Sequence, residues 1–164
     1  MKNLYIFRHG EAEDTLPPGG DGARALTPKG RKVFERAAHF WARILPGHPC
    51  ILTSPLVRAR ETAEILASAL EGKPVPQAEP LLTHWEDPLD LIPVLPEEQD
   101  VVLVGHMPHL GLLLGGLLTG SHPTQIPLSK GMGVWIRSAS WTSGRGRLRL
   151  AVHQKEASDL SELL

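Results

Sequence analysis

Val101-Val102-Leu103-Val104, followed at once by Gly105 and His106, is the stretch that decides the fold. Four apolar residues without alternation leave no face for water, and a strand buried on both faces belongs to a parallel sheet covered by helices. Leu4-Tyr5-Ile6-Phe7 has the same character and is stopped by Arg8, His9 and Gly10. Ile51-Leu52-Thr53 is a third such run. The Leu4 and Ile51 runs are separated by a glycine-rich loop, Pro17 to Gly22, and by a helix that starts at Thr27-Pro28, an N-cap followed by proline at the first helical position. Val33, Ala37, Phe40, Trp41 and Ile44 recur at helical spacing, and Pro46-Gly47 closes that segment. Ser54-Pro55 reads as a second cap-plus-proline start, for a helix carrying Ala59, Thr62, Ala63, Leu66 and Leu70 and ended by Gly72-Lys73-Pro74.

Further along, Pro88 to Leu95 reads as a short helix. Pro108 to Leu118 is apolar nearly all round and predicts a buried core helix, too short to span a bilayer. Val134-Trp135-Ile136 and Leu148 to Val152 close the chain as edge-like strands, and the tail from Glu156 predicts a short terminal helix. Strands alternating with helices give an α/β fold class: a three-layer α/β/α sandwich with a mostly parallel central sheet. The length of 164 residues suits a single domain over residues 1–164.

Composition removes several classes of function. Hydrophobic residues make up 41% and charged residues 21%, as in an ordinary globular chain, and the formal net charge of −1 offers no global field for nucleic acid or an anionic membrane. Arg145-Gly146-Arg147-Leu148-Arg149 is basic, but on a strand its charges share one solvated face, and 5% aromatic residues are too few for base stacking. The tryptophans read as packing residues. The apolar run before Arg8 is too short for a signal sequence, and the single Cys50 beside Ile51 reads as a buried, inert thiol, so a cytoplasmic protein is expected. His84, His106 and His109 lack the i, i+4 pair and the cysteine partners of a zinc site, and no metal or other cofactor is expected.

In open parallel sheets, ligands bind beyond the carboxyl ends of the strands. The polar residues at those ends are Arg8 and His9 after the first strand, Ser54 and then Arg58 after the second, and His106 after the third. Two arginines and two histidines make sense together if the common target is a phosphoryl group. Guanidinium matches phosphate oxygens with paired hydrogen bonds, and a neutral imidazole can attack phosphorus.

The segments Ile6-Phe7-Arg8-His9-Gly10-Glu11-Ala12, Leu26-Thr27-Pro28-Lys29-Gly30, Thr53-Ser54-Pro55 with Arg58-Ala59-Arg60-Glu61-Thr62-Ala63, and Gly105-His106-Met107-Pro108-His109-Leu110 together resemble the histidine phosphatase, or phosphoglycerate mutase-like, superfamily. Brevity, the Leu-Thr-Pro-Lys-Gly segment and the Asp87-Pro88 helix start look most like the small SixA-type phosphohistidine phosphatases. The resemblance implies that His9 accepts the phosphoryl group while Arg8, Arg58 and His106 bind its equatorial oxygens, without metal. The acid that would protonate a leaving group has two candidates, Glu86 and Asp87, and Asp87 before Pro88 reads equally as an N-cap. Arg24 falls where the family has an arginine at the pocket rim, and also reads as a surface arginine. Ser54 could bond phosphate or pocket groups, its N-cap role being the stronger reading, and His109 reads as a rim or capping residue.

Substrate is where the readings divide. One is phosphohistidine on another protein, with a histidine phosphotransfer domain as natural partner, because the connection between the second helix and the Val101 strand is too short to enclose a small substrate. The second is a small phosphate ester of a sugar or nucleotide. A third, of another class, is a module that binds phosphorylated ligands without chemistry.

Overall fold

The computed structural model describes residues 1–45, 47–97 and 99–163. Ten elements carry the fold: β1 (Lys2–Arg8), α1 (Pro28–Ala42), β2 (Cys50–Thr53), α2 (Val57–Ala69), β3 (Gln77–Ala78), β4 (Val101–Gly105), α3 (His109–Thr119), β5 (Gly133–Ser138), β6 (Arg147–Val152) and α4 (Gln154–Ser161). The strands form one sheet in the order β3-β2-β4-β1-β5-β6. β1, β2, β3 and β4 run parallel, while β5 lies antiparallel against β1 and β6 antiparallel against β5.

Each central strand divides its side chains between two cores, as a pleated backbone requires. Tyr5, Phe7, Ile51, Val102 and Val104 face α1, α2 and α4. Leu4, Ile6, Leu52, Val101 and Leu103 face the leucines of α3 together with Leu82, Leu91 and Leu95 from the connection before β4. Trp41, fully buried, anchors the first core by meeting Phe7 edge-on at 5.0 Å and Tyr5 at 6.5 Å. Such pairs add about 0.5–1.5 kcal/mol each beyond the area they bury. Gly133 is needed because a Cβ there would stand 2.5 Å from both Phe7 and Trp41.

Several boundaries moved for local reasons. Thr27 does cap α1, its hydroxyl accepting from the Gly30 amide at 2.8 Å. The stop expected at Pro46 lies outside the described residues; α1 itself ends at Ala42. Ser54 is not the cap of α2. Its amide still bonds the Val104 carbonyl, continuing the sheet, so Leu56 takes the cap position and the helix begins at Val57. The Pro88 segment is a 3-10 helix over Pro88–Val94, with Pro93 inside it. β3, only two residues long, gave no readable periodicity and entered the fold through its pairing with Leu52 and Thr53. No described helix is long and apolar enough to cross a membrane.

Candidate active site

Parallel pairing places the ends of β1, β2 and β4 on one edge of the sheet. Arg8 is in register with Gly105, and Thr53 with Val104. The residues just beyond, His9, Ser54 and His106, therefore converge. The His9 amide donates to the Gly105 carbonyl at 3.0 Å, and the rings of His9 and His106 lie 5.1 Å apart. Together with Arg8 and Arg58 they line a cavity of about 250 Å³, whose outer wall adds Asp21, Arg24, His84 and Met107.

Each side chain is held from behind. Thr62 on α2 accepts from the Gly10 amide at 3.1 Å and donates to the Arg58 carbonyl at 2.7 Å, tying the loop after β1 to the helix that carries Arg58. Arg8 donates to the Leu128 carbonyl at 2.9 Å. Gly30, the last residue of the Leu-Thr-Pro-Lys-Gly segment, lets the first turn of α1 press on the Glu11 backbone, where a Cβ would collide. The chain returning from that loop is pinned by Glu13 N–H to Ala25 and Thr27 N–H to Glu11, both at 2.9 Å, so residues 13–25 stand up as a flap beside the cavity.

The tautomer of His9 follows from its partner. A carbonyl can only accept, so the 2.7 Å contact between Nδ1 and the Gly10 oxygen makes Nδ1 the protonated nitrogen and leaves the Nε2 lone pair free. Burial, opposed by that carbonyl and reinforced by Arg58, Arg8 and Lys130, pushes the His9 pKa down to about 4. His106, whose Nε2 lies 2.7 Å from Ser54 Oγ, is pushed down to about 2, first by burial and then by His9, Arg58 and His84. Both rings are neutral at pH 7, so the positive charge of the ligand-free cavity comes from arginine. Arg8 Nε and Arg58 Nε are buried donors without a hydrogen-bond partner, as suits an anion site, and His106 Nδ1 is likewise buried and unpartnered.

The sequence had not singled out Asp21. Its carboxylate meets Arg58 at 3.0 Å and Arg24 at 2.7 Å, and its carbonyl accepts from Arg58 at 2.8 Å. Burial raises its pKa, yet the hydrogen bonds from Arg24 and Arg58 outweigh this and hold it below the usual carboxylate value. Arg24 lines the cavity, three-quarters covered, and so is more than a surface arginine. Glu86 and Asp87 do not line it. The Asp87 carboxylate accepts from the Leu89 amide at 2.9 Å, capping the 3-10 helix, and both residues are exposed. His109 is fully buried at the start of α3 and is not a rim residue, because the turn after His106 folds its ring inward. Trp85, 63% exposed, departs from the packing role expected of the tryptophans, which Trp41 and Trp141 do fill.

His9, His106 and His109, the last pushed to about 4 by burial with only Asp87 and the Leu81 backbone in its favour among the larger influences, make folding proton-linked. Below pH 6.5 the unfolded imidazoles take up protons that the native state refuses until about pH 4 or lower, so the unfolded state binds more protons and stability rises with pH through that window. The urea midpoint of unfolding is therefore expected to fall between pH 7 and pH 4.5, and His9→Ala to flatten that fall. A midpoint unchanged across the window would show that the rings are not held neutral.

Comparison with known proteins agrees with this arrangement. The family model described as the histidine phosphatase superfamily (branch 1) matches residues 4–88, a span that includes Arg8, His9 and Arg58. An uncharacterized protein of Picosynechococcus sp. is 36% identical over 146 residues, covering 84% of this chain and 86% of the relative. Among solved structures, the protein histidine phosphatase SixA complexed with tungstate superposes with a TM-score of 0.75 at 23% identity, over 93% of this chain and 97% of that one. A mycobacterial glucosyl-3-phosphoglycerate phosphatase with inorganic phosphate gives 0.69 at 19% identity, over 96% and 99%. At these identities the two solved structures share the fold.

Proposed function

The chain belongs to the histidine phosphatase superfamily and is a phosphatase, and from that footing we propose that it acts through a phosphohistidine formed on His9, with phosphohistidine on another protein as its substrate. The observation that carries the first half is the His9 tautomer: a fixed Nδ1 proton and a free Nε2 beside two guanidiniums. Nε2 attacks phosphorus, Arg8, Arg58 and His106 bind the three spread oxygens, and water then releases phosphate from the ring. Phosphoryl transfer of this kind depends on positioning and on neutralising charge, which preorganised donors supply. The reaction needs no metal in this reading, since the one carboxylate lining the cavity, Asp21, is already bonded to Arg58 and Arg24.

The size and surroundings of the cavity support the second half. About 250 Å³ holds a phosphoryl group and the first atoms of whatever bears it, less than the roughly 300–1,000 Å³ that encloses a small ligand. Of residues 74–86 only His84 reaches the wall, so this connection does not roof the mouth. A histidine phosphotransfer domain is the partner of matching chemistry, and the cytoplasm the matching setting. An imidazole also departs more readily than an alkoxide, which suits a site where Glu86 and Asp87 lie outside the cavity and Asp21 is bonded to two arginines.

The test compares kcat/KM for a phosphohistidine-bearing phosphotransfer domain with a panel of sugar and nucleotide phosphates. Phosphohistidine is expected to lead by about tenfold or more, the equivalent of one good extra contact. A single small ester that outruns it would replace this substrate with that one.

A further inference from the structure

Three imidazoles stand in sequence around the cavity, and the roles above use two of them. The His84 ring lies 5.6 Å from that of His106 at 74°, and His106 in turn lies 5.1 Å from His9. Trp85 meets His84 edge-to-face at 4.6 Å and packs against the ring. Unlike its two neighbours, His84 is exposed, so its proton exchanges with solvent.

Among the residues lining the cavity, His84 is the titratable side chain that is open to solvent and engaged by no hydrogen bond. The guanidiniums of Arg8, Arg24 and Arg58 do not release a proton. The His9 proton is held by the Gly10 carbonyl, and His106 is buried against Ser54. Asp21 is ionised between two arginines, and Asp87 is occupied as a cap. Building on the phosphatase reading, we propose that His84 is the general acid–base of this site.

In the first step His9 Nε2 forms a bond to phosphorus as the bond from phosphorus to the leaving atom, nitrogen in phosphohistidine or oxygen in an ester, breaks. The departing atom takes the proton of the His84 imidazolium, leaving as a neutral imidazole from phosphohistidine or as an alcohol from an ester. In the second step water bonds to phosphorus while the P–N bond returns its electron pair to His9. The water proton passes to neutral His84, restoring the imidazolium, and hydrogen phosphate departs. Protons and charge balance over the cycle, and no other reactant is required.

An acid matters for a poor leaving group and little for a good one, which gives a test that a merely structural role would fail. kcat/KM, which reports the steps through P–O cleavage, is measured for wild type and His84→Gln with glycerol phosphate and with p-nitrophenyl phosphate. The alkyl ester is expected to lose about 10²- to 10⁴-fold, the span of general acid catalysis, and the nitrophenyl ester far less. The variant should also show a burst of nitrophenolate, because loss of the base slows release of phosphate from His9. Equal losses on both esters, or none on either, would overturn the assignment, as would a wild type that cleaves the aryl ester and leaves the alkyl ester untouched. Wild type inert to both esters and to phosphohistidine, or activity indifferent to His9→Ala, would instead remove the phosphatase reading, and the role of His84 with it.

Discussion

His9→Ala is expected to lower turnover by about 10⁴-fold or more on every phosphorylated substrate, because it removes the atom that bonds to phosphorus. Arg8, Arg58 and His106 offer donors, and His106 Nε2 faces Ser54 at 2.7 Å rather than a reacting centre. The variant should still fold. The contacts that organise the loop after β1, namely the Gly10 amide on Thr62 and the Thr27 amide on Glu11, belong to other residues. Phosphate binding should therefore survive the loss of turnover. A folded variant that retains a tenth of wild-type activity would show that the phosphoryl group goes directly to water, and a wild type that binds phosphate without turnover would return the chain to the class of binding modules.

The second large effect is expected from Arg58→Ala, a loss of about 10²- to 10³-fold in kcat, the size seen when a preorganised donor to a developing charge is deleted. Arg58 is 4% exposed, and its guanidinium is fixed at one end by the Asp21 carbonyl and carboxylate, so its geometry exists before substrate arrives. Lysine should recover little, since it keeps the charge and loses the planar fork. The effect should appear in kcat more than in KM, because the charge on the equatorial oxygens is redistributed in the transition state. Comparable rises in KM alone would make Arg58 a substrate anchor. Unchanged kinetics would mean that its guanidinium serves the Asp21 flap and not the phosphoryl group.

How much of this was legible depended on how local each signal was. β1 and β4 could be read because an uninterrupted apolar run states its own burial. The start of α1 could be read because capping is chemistry among four consecutive residues, Thr27 to Gly30. The strand-end rule then brought Arg8, His9, Arg58 and His106 to one edge without any coordinates, and the structure lines one cavity with all four. Ser54 misled because serine before proline looks the same whether it caps a helix or continues a sheet. What decided it was a bond to the carbonyl of Val104, 50 residues away in sequence, about which local pattern says nothing.

Asp21 and the place of His84 in the cavity wall were hidden for a related reason. An aspartate in a glycine-rich loop carries no periodicity, and its partner Arg58 is 37 residues distant. His84 follows a parallel strand, so the same strand-end rule would have found it, but β3 has only two residues and left no pattern to which the rule could be applied. Its neighbour Trp85 is 63% exposed, unusual for a residue whose only task is packing, and that exposure is visible only in the fold.

The central claim is a covalent one, and rapid quenching tests it directly. Mixing the wild-type protein with labelled phosphohistidine protein or p-nitrophenyl phosphate, stopping within the first turnover and mapping the label should place an acid-labile, alkali-stable phosphate on the peptide that contains His9, absent from His9→Ala. A label on any other residue, or a full first turnover with no phosphoenzyme even when product release is slowed, would contradict it.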